Sequence, residues 1–149
     1  MKLTNAFDIS SSALTAQRFR MDVISSNIAN AETTRGEYVD GQWVPYRRKL
    51  VVMEPTRTQS FDSILQQQLD QHTGSGVKVS RVIEDQSPFK LAYNPMHPDA
   101  DVNGYVRLPN VDVAKEMIDM ISATRSYEAN VTALNASKSM FMKALEIGK

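Results

Sequence analysis

Cysteine is absent from the 149 residues, which removes disulfides, thiol nucleophiles and thiolate metal sites. Histidine occurs only at His72 and His97, so neither a His-containing triad nor a histidine-rich metal centre has much to draw on. No Gly-rich phosphate loop, nucleophile elbow or HExxH pattern occurs. Charge of one sign is also lacking: Lys plus Arg and Asp plus Glu both number 17, so no overall field favours nucleic acid or an acidic membrane. No run approaches the ~20 apolar residues of a membrane span. Met1–Asp8 has neither the apolar core nor the small-residue cleavage site of a secretory signal, and Arg18, Arg20 and Asp22 interrupt the next stretch. The expectation is a soluble chain that is not an enzyme, has no catalytic, cofactor-binding or metal-binding residues, and uses no cleaved signal if it leaves the cytosol.

Two terminal stretches have helical periodicity. From about Asp8 to Asn30, Phe7, Leu14, Met21 and Ile28 recur at every seventh residue, with Leu3, Ser10, Gln17, Ile24 and Ala31 on the adjoining position. Asp8 is the expected cap, and Thr33, Thr34 and Gly36 the expected stop. From about Val111 to Glu146, Val113, Met117, Met120, Thr124, Tyr127, Val131, Leu134, Lys138, Phe141 and Leu145 alternate four-and-three spacing, the pattern of a coiled coil. Pro109 and Asn110 precede this helix, Asp112 suits its first turn, and Gly148 comes after it.

Between the helices the chain breaks into short alternating runs separated by Gly and Pro. Expected strands are Tyr46–Met53, Val77–Glu84, Phe89–Tyr93 and Tyr105–Leu108, with a turn at Asn103-Gly104. Phe61–Gln71 reads as a short helix or an insertion, ended by Thr73-Gly74-Ser75-Gly76. The expected class is α+β: coiled-coil helices in residues 1–35 and 108–149, and a small β-rich middle in 36–107 with a possible insertion at 54–76.

The long helix points outward to other chains. At ~1.5 Å per residue, a helix over Val111–Glu146 is about 54 Å long, more than a chain of this size needs on one side. The N-terminal helix is too short to cover its seam. The terminal helices are therefore expected to order fully only on assembly; the alternative is an intramolecular two-helix stalk.

Three local motifs have ordinary readings beside functional ones. Asp99-Ala100-Asp101-Val102-Asn103-Gly104 matches the first half of an EF-hand loop, but Asn110 occupies the twelfth position and Pro98 precedes the loop, so an Asx-rich turn is expected. His97, Asp99 and Asp101 offer a His-carboxylate grouping that reads as a hydrogen-bonded surface loop between Pro95 and Pro98. Tyr46-Arg47-Arg48-Lys49 reads as an edge strand, or as a salt-bridged contact with a neighbouring subunit.

Longer words of sequence are more specific. Ser26-Asn27-Ile28-Ala29-Asn30-Ala31-Glu32-Thr33-Thr34 resembles the N-terminal signature of the bacterial flagellar rod and hook family. Gly104-Tyr105-Val106-Arg107-Leu108-Pro109-Asn110-Val111-Asp112-Val113, Glu116-Met117, Arg125-Ser126-Tyr127-Glu128-Ala129-Asn130-Val131 and Lys138-Ser139-Met140 are similar to the C-terminal half of its proximal-rod members. Asn94-Pro95, His97-Pro98 and Ala100-Asp101 fit the same pattern; residues 53–75 do not match it.

The resemblance implies a structural subunit of the basal-body rod, exported without a cleaved signal by the flagellar type III apparatus and placed in the periplasmic or cell-wall space. It implies terminal helices in an inner coiled-coil layer and a rod that passes torque from the membrane ring to the hook. Implied partners are copies of the chain, other proximal and distal rod proteins, the membrane-ring protein and the ring-to-rod junction protein. Asn27 and Asn30, beside an apolar seam, either fix helix register by hydrogen bonds across subunits or lead the chain out of the helix. The competing reading from periodicity alone is a soluble coiled-coil adaptor or chaperone.

Overall fold

The computed structural model describes residues 3–39, 41–56 and 76–147. The expected helix or insertion at Phe61–Gln71 lies outside the described residues. The elements run α1 (Leu3–Ala29), β1 (Glu37–Val39), β2 (Gln42–Val44), β3 (Lys49–Pro55), β4 (Val77–Glu84), β5 (Lys90–Tyr93), β6 (Tyr105–Leu108) and α2 (Val113–Ile147). Two long terminal helices thus flank a middle of short strands, the α+β arrangement expected.

Helix α1 begins five residues before the expected start, because nothing from Leu3 to Phe7 breaks a helix. Asp8 therefore lies in the helix interior, exposed, and does not cap it. At the C-terminal end the Asn30 amide donates to the Ser26 carbonyl at 3.1 Å, and its side chain donates to the same oxygen at 2.9 Å. Helix α2 starts after Asp112, whose carboxylate accepts from the amides of Ala114 (3.0 Å) and Lys115 (3.4 Å). Asp112 is thus the N-cap itself rather than a first-turn residue, satisfying donors that a helix start leaves free.

The strands form three two-stranded pairs, β1–β2, β3–β4 and β5–β6. Strands β4 and β6 have the expected bounds, and β5 begins one residue late. The expected Tyr46–Met53 strand is displaced to Lys49–Pro55. Its first residues are held away from ladder pairing: the Tyr46 amide donates to the Thr33 carbonyl at 3.2 Å and the Arg48 amide to Asn110 Oδ1 at 2.8 Å. The antiparallel β1–β2 hairpin has no counterpart among the expected strands; it pairs Tyr38 with Trp43, and Gly41 takes φ 84° at its turn. The expected turn before β6 is present, with Gly104 at φ 79° and its amide donating to the Asp101 carbonyl at 2.8 Å.

Packing divides the chain into two compact units. The first comprises Met1–Phe19, Val52–Arg81 and Ala123–Lys149. In it the Val77 amide donates to Ser12 Oγ at 3.1 Å, which seats the start of β4 on α1. A Cβ on Gly76 would stand 2.5 Å from that same oxygen, so any larger residue there would force the Ser12 side chain to shift and disturb this bond. The second unit comprises Arg20–Val51 and Val82–Ser122. Its buried apolar side chains include Ile24, Val106 and Val111, and polar Asn27, Arg48 and Glu116 are buried with them.

Candidate assembly interface

The second unit is organised around a buried polar junction. Asn27, in the last turn of α1, is 1% exposed. Its Nδ2 donates to the Lys49 carbonyl (2.9 Å) and to Glu116 Oε2 (3.0 Å). Its Oδ1 accepts from the Lys49 amide (2.9 Å) and from the Tyr46 hydroxyl (3.0 Å). An amide side chain offers two donor hydrogens and two acceptor lone pairs, so these bonds consume its capacity. Asn27 consequently joins α1, β3 and α2 inside one chain, and has no hydrogen bond left to fix register across subunits. Asn30 spends its side-chain donor on closing its own helix end.

Glu116, equally buried, sits in the first turn of α2, where the helix dipole favours a carboxylate. Its Oε1 accepts from Arg48 Nε at 2.6 Å and faces Arg48 Nη2 at 2.5 Å. Arg48 also lies 3.4 Å from Asp119 and 3.7 Å from Asp85, and Arg20 approaches Asp119 at 3.6 Å. The expected option of an Arg48 salt bridge to a neighbouring subunit is thus replaced by intrachain pairing, which is what a buried guanidinium requires. Asn110 completes the junction by accepting from the Arg48 amide and donating to the carbonyls of Asp85 (3.0 Å) and Ser87 (3.3 Å). Asp85 has its pKa lowered, first by its bonds from the Ser87 hydroxyl and amide and then by Arg48.

Other signature residues divide into two groups. Pro109 is fully buried and Gly104 makes the turn; Tyr105 stacks edge-on against Tyr93 at 5.3 Å between ring centres. Ser26 Oγ lies 3.4 Å from the Tyr46 hydroxyl, and Asn130 bonds back to the Ser126 carbonyl at 2.8 Å. Ala29, Glu128 and Ala129 are exposed; the Glu128 carboxylate pairs with Arg125 at 3.0 Å on the surface, and its carbonyl accepts from the Thr132 hydroxyl at 3.0 Å. An exposed pair of that kind contributes little to stability, so the fold of the chain alone does not explain these three positions.

The seam residues are placed unevenly. On α1, Ile24 is buried while Phe7, Leu14, Met21 and Ile28 are half-buried. On α2, Met120, Tyr127, Val131 and Leu134 are half-buried, and Val113, Met117, Phe141 and Leu145 are exposed. The least exposed line of α2 runs through Glu116 and Ala123, one residue before Met117 and Thr124. The burial stripe is therefore rotated from the periodic seam and shares Met120, Tyr127 and Leu134 with it. Exposed apolar side chains remain at both ends of α2: Val113, Met117, Ile118 and Ile121 share one face near its start, whereas Met140, Phe141, Met142 and Leu145 near its end are spread around more than half of the helix.

The His97–Asp101 loop is tied to the segment after α1. Asp99 accepts from the Thr34 hydroxyl at 2.8 Å and from Arg35 Nη2 at 2.6 Å, and its own amide donates to His97 Nδ1 at 3.1 Å. The Arg35 and Thr34 bonds hold the Asp99 pKa below the ordinary carboxylate value. No group of three or more His, Asp or Glu side chains with metal-holding geometry occurs among the described residues. No helix there is long and apolar enough to cross a membrane.

Glu116 belongs to a signature word of the sequence, yet nothing in that word marks it as an organising residue, and nothing marks Asp85 at all. Periodicity carries no information about which carboxylate meets Arg48. The one available signal is a charged residue near an apolar helix start.

Comparison with known proteins gives two family matches. Residues 7–35 match the family described as flagella basal body rod protein, and residues 102–147 match the C-terminal region of the flagellar basal body rod FlgEFG proteins. The chain is 58% identical to flagellar basal-body rod protein FlgC of Bacillus subtilis over the full length of both. It is 49% identical to the Salmonella typhimurium FlgC, again over the full length of both. It is 47% identical to the Borreliella burgdorferi FlgC, over 99% of this chain and 98% of that one.

Proposed function

The chain belongs to the FlgC family of flagellar basal-body rod proteins, and we propose that it builds the proximal rod through the exposed apolar faces of its terminal helices. It is a structural subunit of the flagellar rod. The observation that carries the proposed mode of assembly is α2, where Val113, Met117, Ile118 and Ile121 share one exposed face. Residues three and four apart on a helix are neighbours, so these side chains present a continuous apolar strip. Contiguous exposed apolar surface of this kind marks an interaction site.

In this reading, residues 1–35 and 108–149 form the inner helical layer, and 36–107 support it from outside. The seam is Phe7, Leu14, Met21 and Ile28 with Val113, Met117, Met120, Tyr127, Val131, Leu134, Phe141 and Leu145; Ile24, buried within the chain, supports it from behind. Its neighbours are copies of the chain, other proximal and distal rod proteins, the membrane-ring protein and the ring-to-rod junction protein. The subunit reaches the periplasmic or cell-wall space through the flagellar export apparatus and has no enzymatic role. Torque passes from ring to hook through many lateral contacts that share load. The buried junction suits this task, because Asn27, Arg48 and Glu116 tie the end of α1 to the start of α2 by charge-assisted bonds.

Met117→Lys and Ile121→Lys test the reading. Both positions are exposed, so each variant is expected to keep its stability within about 0.5 kcal/mol by denaturant unfolding. Incorporation into isolated basal bodies and motility should both be lost. Normal incorporation of both variants would overturn the helical mode of assembly. A chain that bound one client stoichiometrically and never entered a rod would support the adaptor reading.

A further inference from the structure

Asn103-Gly104 makes the turn before β6, and the same pair is the most reactive dipeptide of its kind in the chain. An asparagine side chain can be attacked by the backbone nitrogen of the next residue, and glycine, with no Cβ, hinders that nitrogen least. Of the eight asparagines only Asn103 is followed by glycine; Asn94 is followed by proline, and the other six by Ala, Ile or Val.

The fold treats the two reacting groups oppositely. The Asn103 side chain is exposed and has no hydrogen bond among the described residues. Gly104 is buried, and its amide donates to the Asp101 carbonyl at 2.8 Å. Its own carbonyl accepts from the Asn94 amide at 2.9 Å, and the Asp101 amide donates to the Tyr105 carbonyl at 2.8 Å. Next to this turn, β5 and β6 pair Tyr93 with Tyr105, whose rings meet edge-on at 5.3 Å. The carbon that would be attacked thus faces water, while the nitrogen that would attack it is buried and bonded.

We propose that Asn103 is a fold-gated deamidation site, silent in the folded subunit and reactive in the unfolded chain. The Gly104 nitrogen, having lost its proton to hydroxide, forms a bond to Asn103 Cγ. The Cγ–Nδ2 bond then breaks, and Nδ2 leaves as ammonia with a proton taken from water. Water opens the resulting succinimide at either carbonyl to give aspartate or isoaspartate, so no oxidant or cofactor is consumed. In the folded chain the Gly104 N–H is committed to Asp101 away from water, and both proton loss and attack wait for the turn to open. Isoaspartate routes the backbone through the former side chain and lengthens it by a methylene. Chains kept unfolded are therefore marked at the turn on which β5–β6 closes, whatever the mode of assembly.

The test incubates the full-length chain in mildly alkaline buffer, native and in guanidinium chloride. Tandem mass spectrometry follows the tryptic peptide Leu91–Arg107, in which Asn94, lacking a following amide N–H, is an internal reference. Asn103 should deamidate at least about tenfold faster in the unfolded chain than in the native one. Tyr93→Ala removes the ring pair and should speed the native reaction by roughly two- to tenfold while leaving the unfolded rate unchanged. Hydrogen exchange at the Gly104 amide should quicken by the same factor, since it needs the same opening.

Equal rates in the native and unfolded chains overturn the inference. So does a folded Tyr93→Ala variant whose Gly104 amide exchanges faster while Asn103 deamidates no faster. The first comparison uses the unaltered chain, so it decides the matter even where the variant fails to fold.

Discussion

Asn27 and Glu116 share a hydrogen bond where neither side chain meets water, and the cost of removing either depends on the groups left behind. Asn27→Leu strands the Lys49 amide and carbonyl and takes one donor from Glu116. At about 1–3 kcal/mol for each buried polar group left without a partner, denaturant unfolding should show a loss of about 3 kcal/mol or more. Glu116→Ala leaves Arg48 buried with only the longer approaches of Asp119 and Asp85, and a loss of about 3 kcal/mol is expected there too. Measured losses below about 1 kcal/mol at both positions would show that the junction is solvated. Asp99 behaves differently because its bonds are near the surface. Its pKa is held below the ordinary value of about 3.9 by Arg35 and Thr34. The folded chain therefore binds that proton less readily than the unfolded chain. The stability contributed is fully present above about pH 3.9 and is lost as pH falls through the lower folded value. Asp99→Asn should remove this acid-side component, and unfolding curves of the two proteins should converge in strong acid.

At the level of elements, the sequence was most legible where a pattern is long or a turn residue is obligatory. Both helices, and strands β4 and β6, could be drawn from spacing alone. Asn103-Gly104 marked its turn because Gly104 adopts φ 79°, a conformation that side chains disfavour. The β1–β2 hairpin had the same kind of signal in Asp40-Gly41, flanked by Tyr38 and Trp43, and three-residue strands are too short for periodicity to reveal. The start of β3 was misplaced because Tyr46 and Arg48 are held by Thr33 and Asn110, partners distant in sequence. The junction itself was illegible for the same reason: an asparagine and a glutamate acquire meaning only once α1 and α2 meet. A Cβ on Gly104 would lie 3.0 Å from the Tyr93 ring and 3.2 Å from Pro95 in addition to forcing an unfavourable φ. Gly104→Ala should therefore destabilise by about 1–2 kcal/mol. Gly41→Ala meets no atom within 4 Å, so its cost should be only the conformational part, about 1 kcal/mol. Equal losses at the two glycines, measured by thermal or denaturant unfolding, would show that the contact with Tyr93 carries no weight.

For the molecule as a whole, the balance between helix and partner decides what the free subunit looks like. Helix α1 has 27 residues and α2 has 35, and much of the apolar surface of α2 near both ends is exposed. Ordering a residue costs about 1–2 kcal/mol, which is recovered mainly when an apolar face is buried rather than from helix propensity. The start of α2 is anchored by the Asp112 cap and the Glu116–Arg48 pair, whereas its last turns carry Met140, Phe141, Met142 and Leu145 exposed, with a surface Lys143–Glu146 pair at 2.6 Å as their ion pair among the described residues. Order should accordingly decay along α2 in a dilute monomer, with amide exchange slow near Glu116 and fast beyond Met140. Assembly should extend protection to the C-terminal turns and raise helical circular dichroism. If the dilute monomer already displays the full helical signal, with uniformly slow exchange from Val113 to Leu145, the last turns are stable without neighbours, and the exposed faces of α2 would then add affinity to assembly without setting the order of the helix.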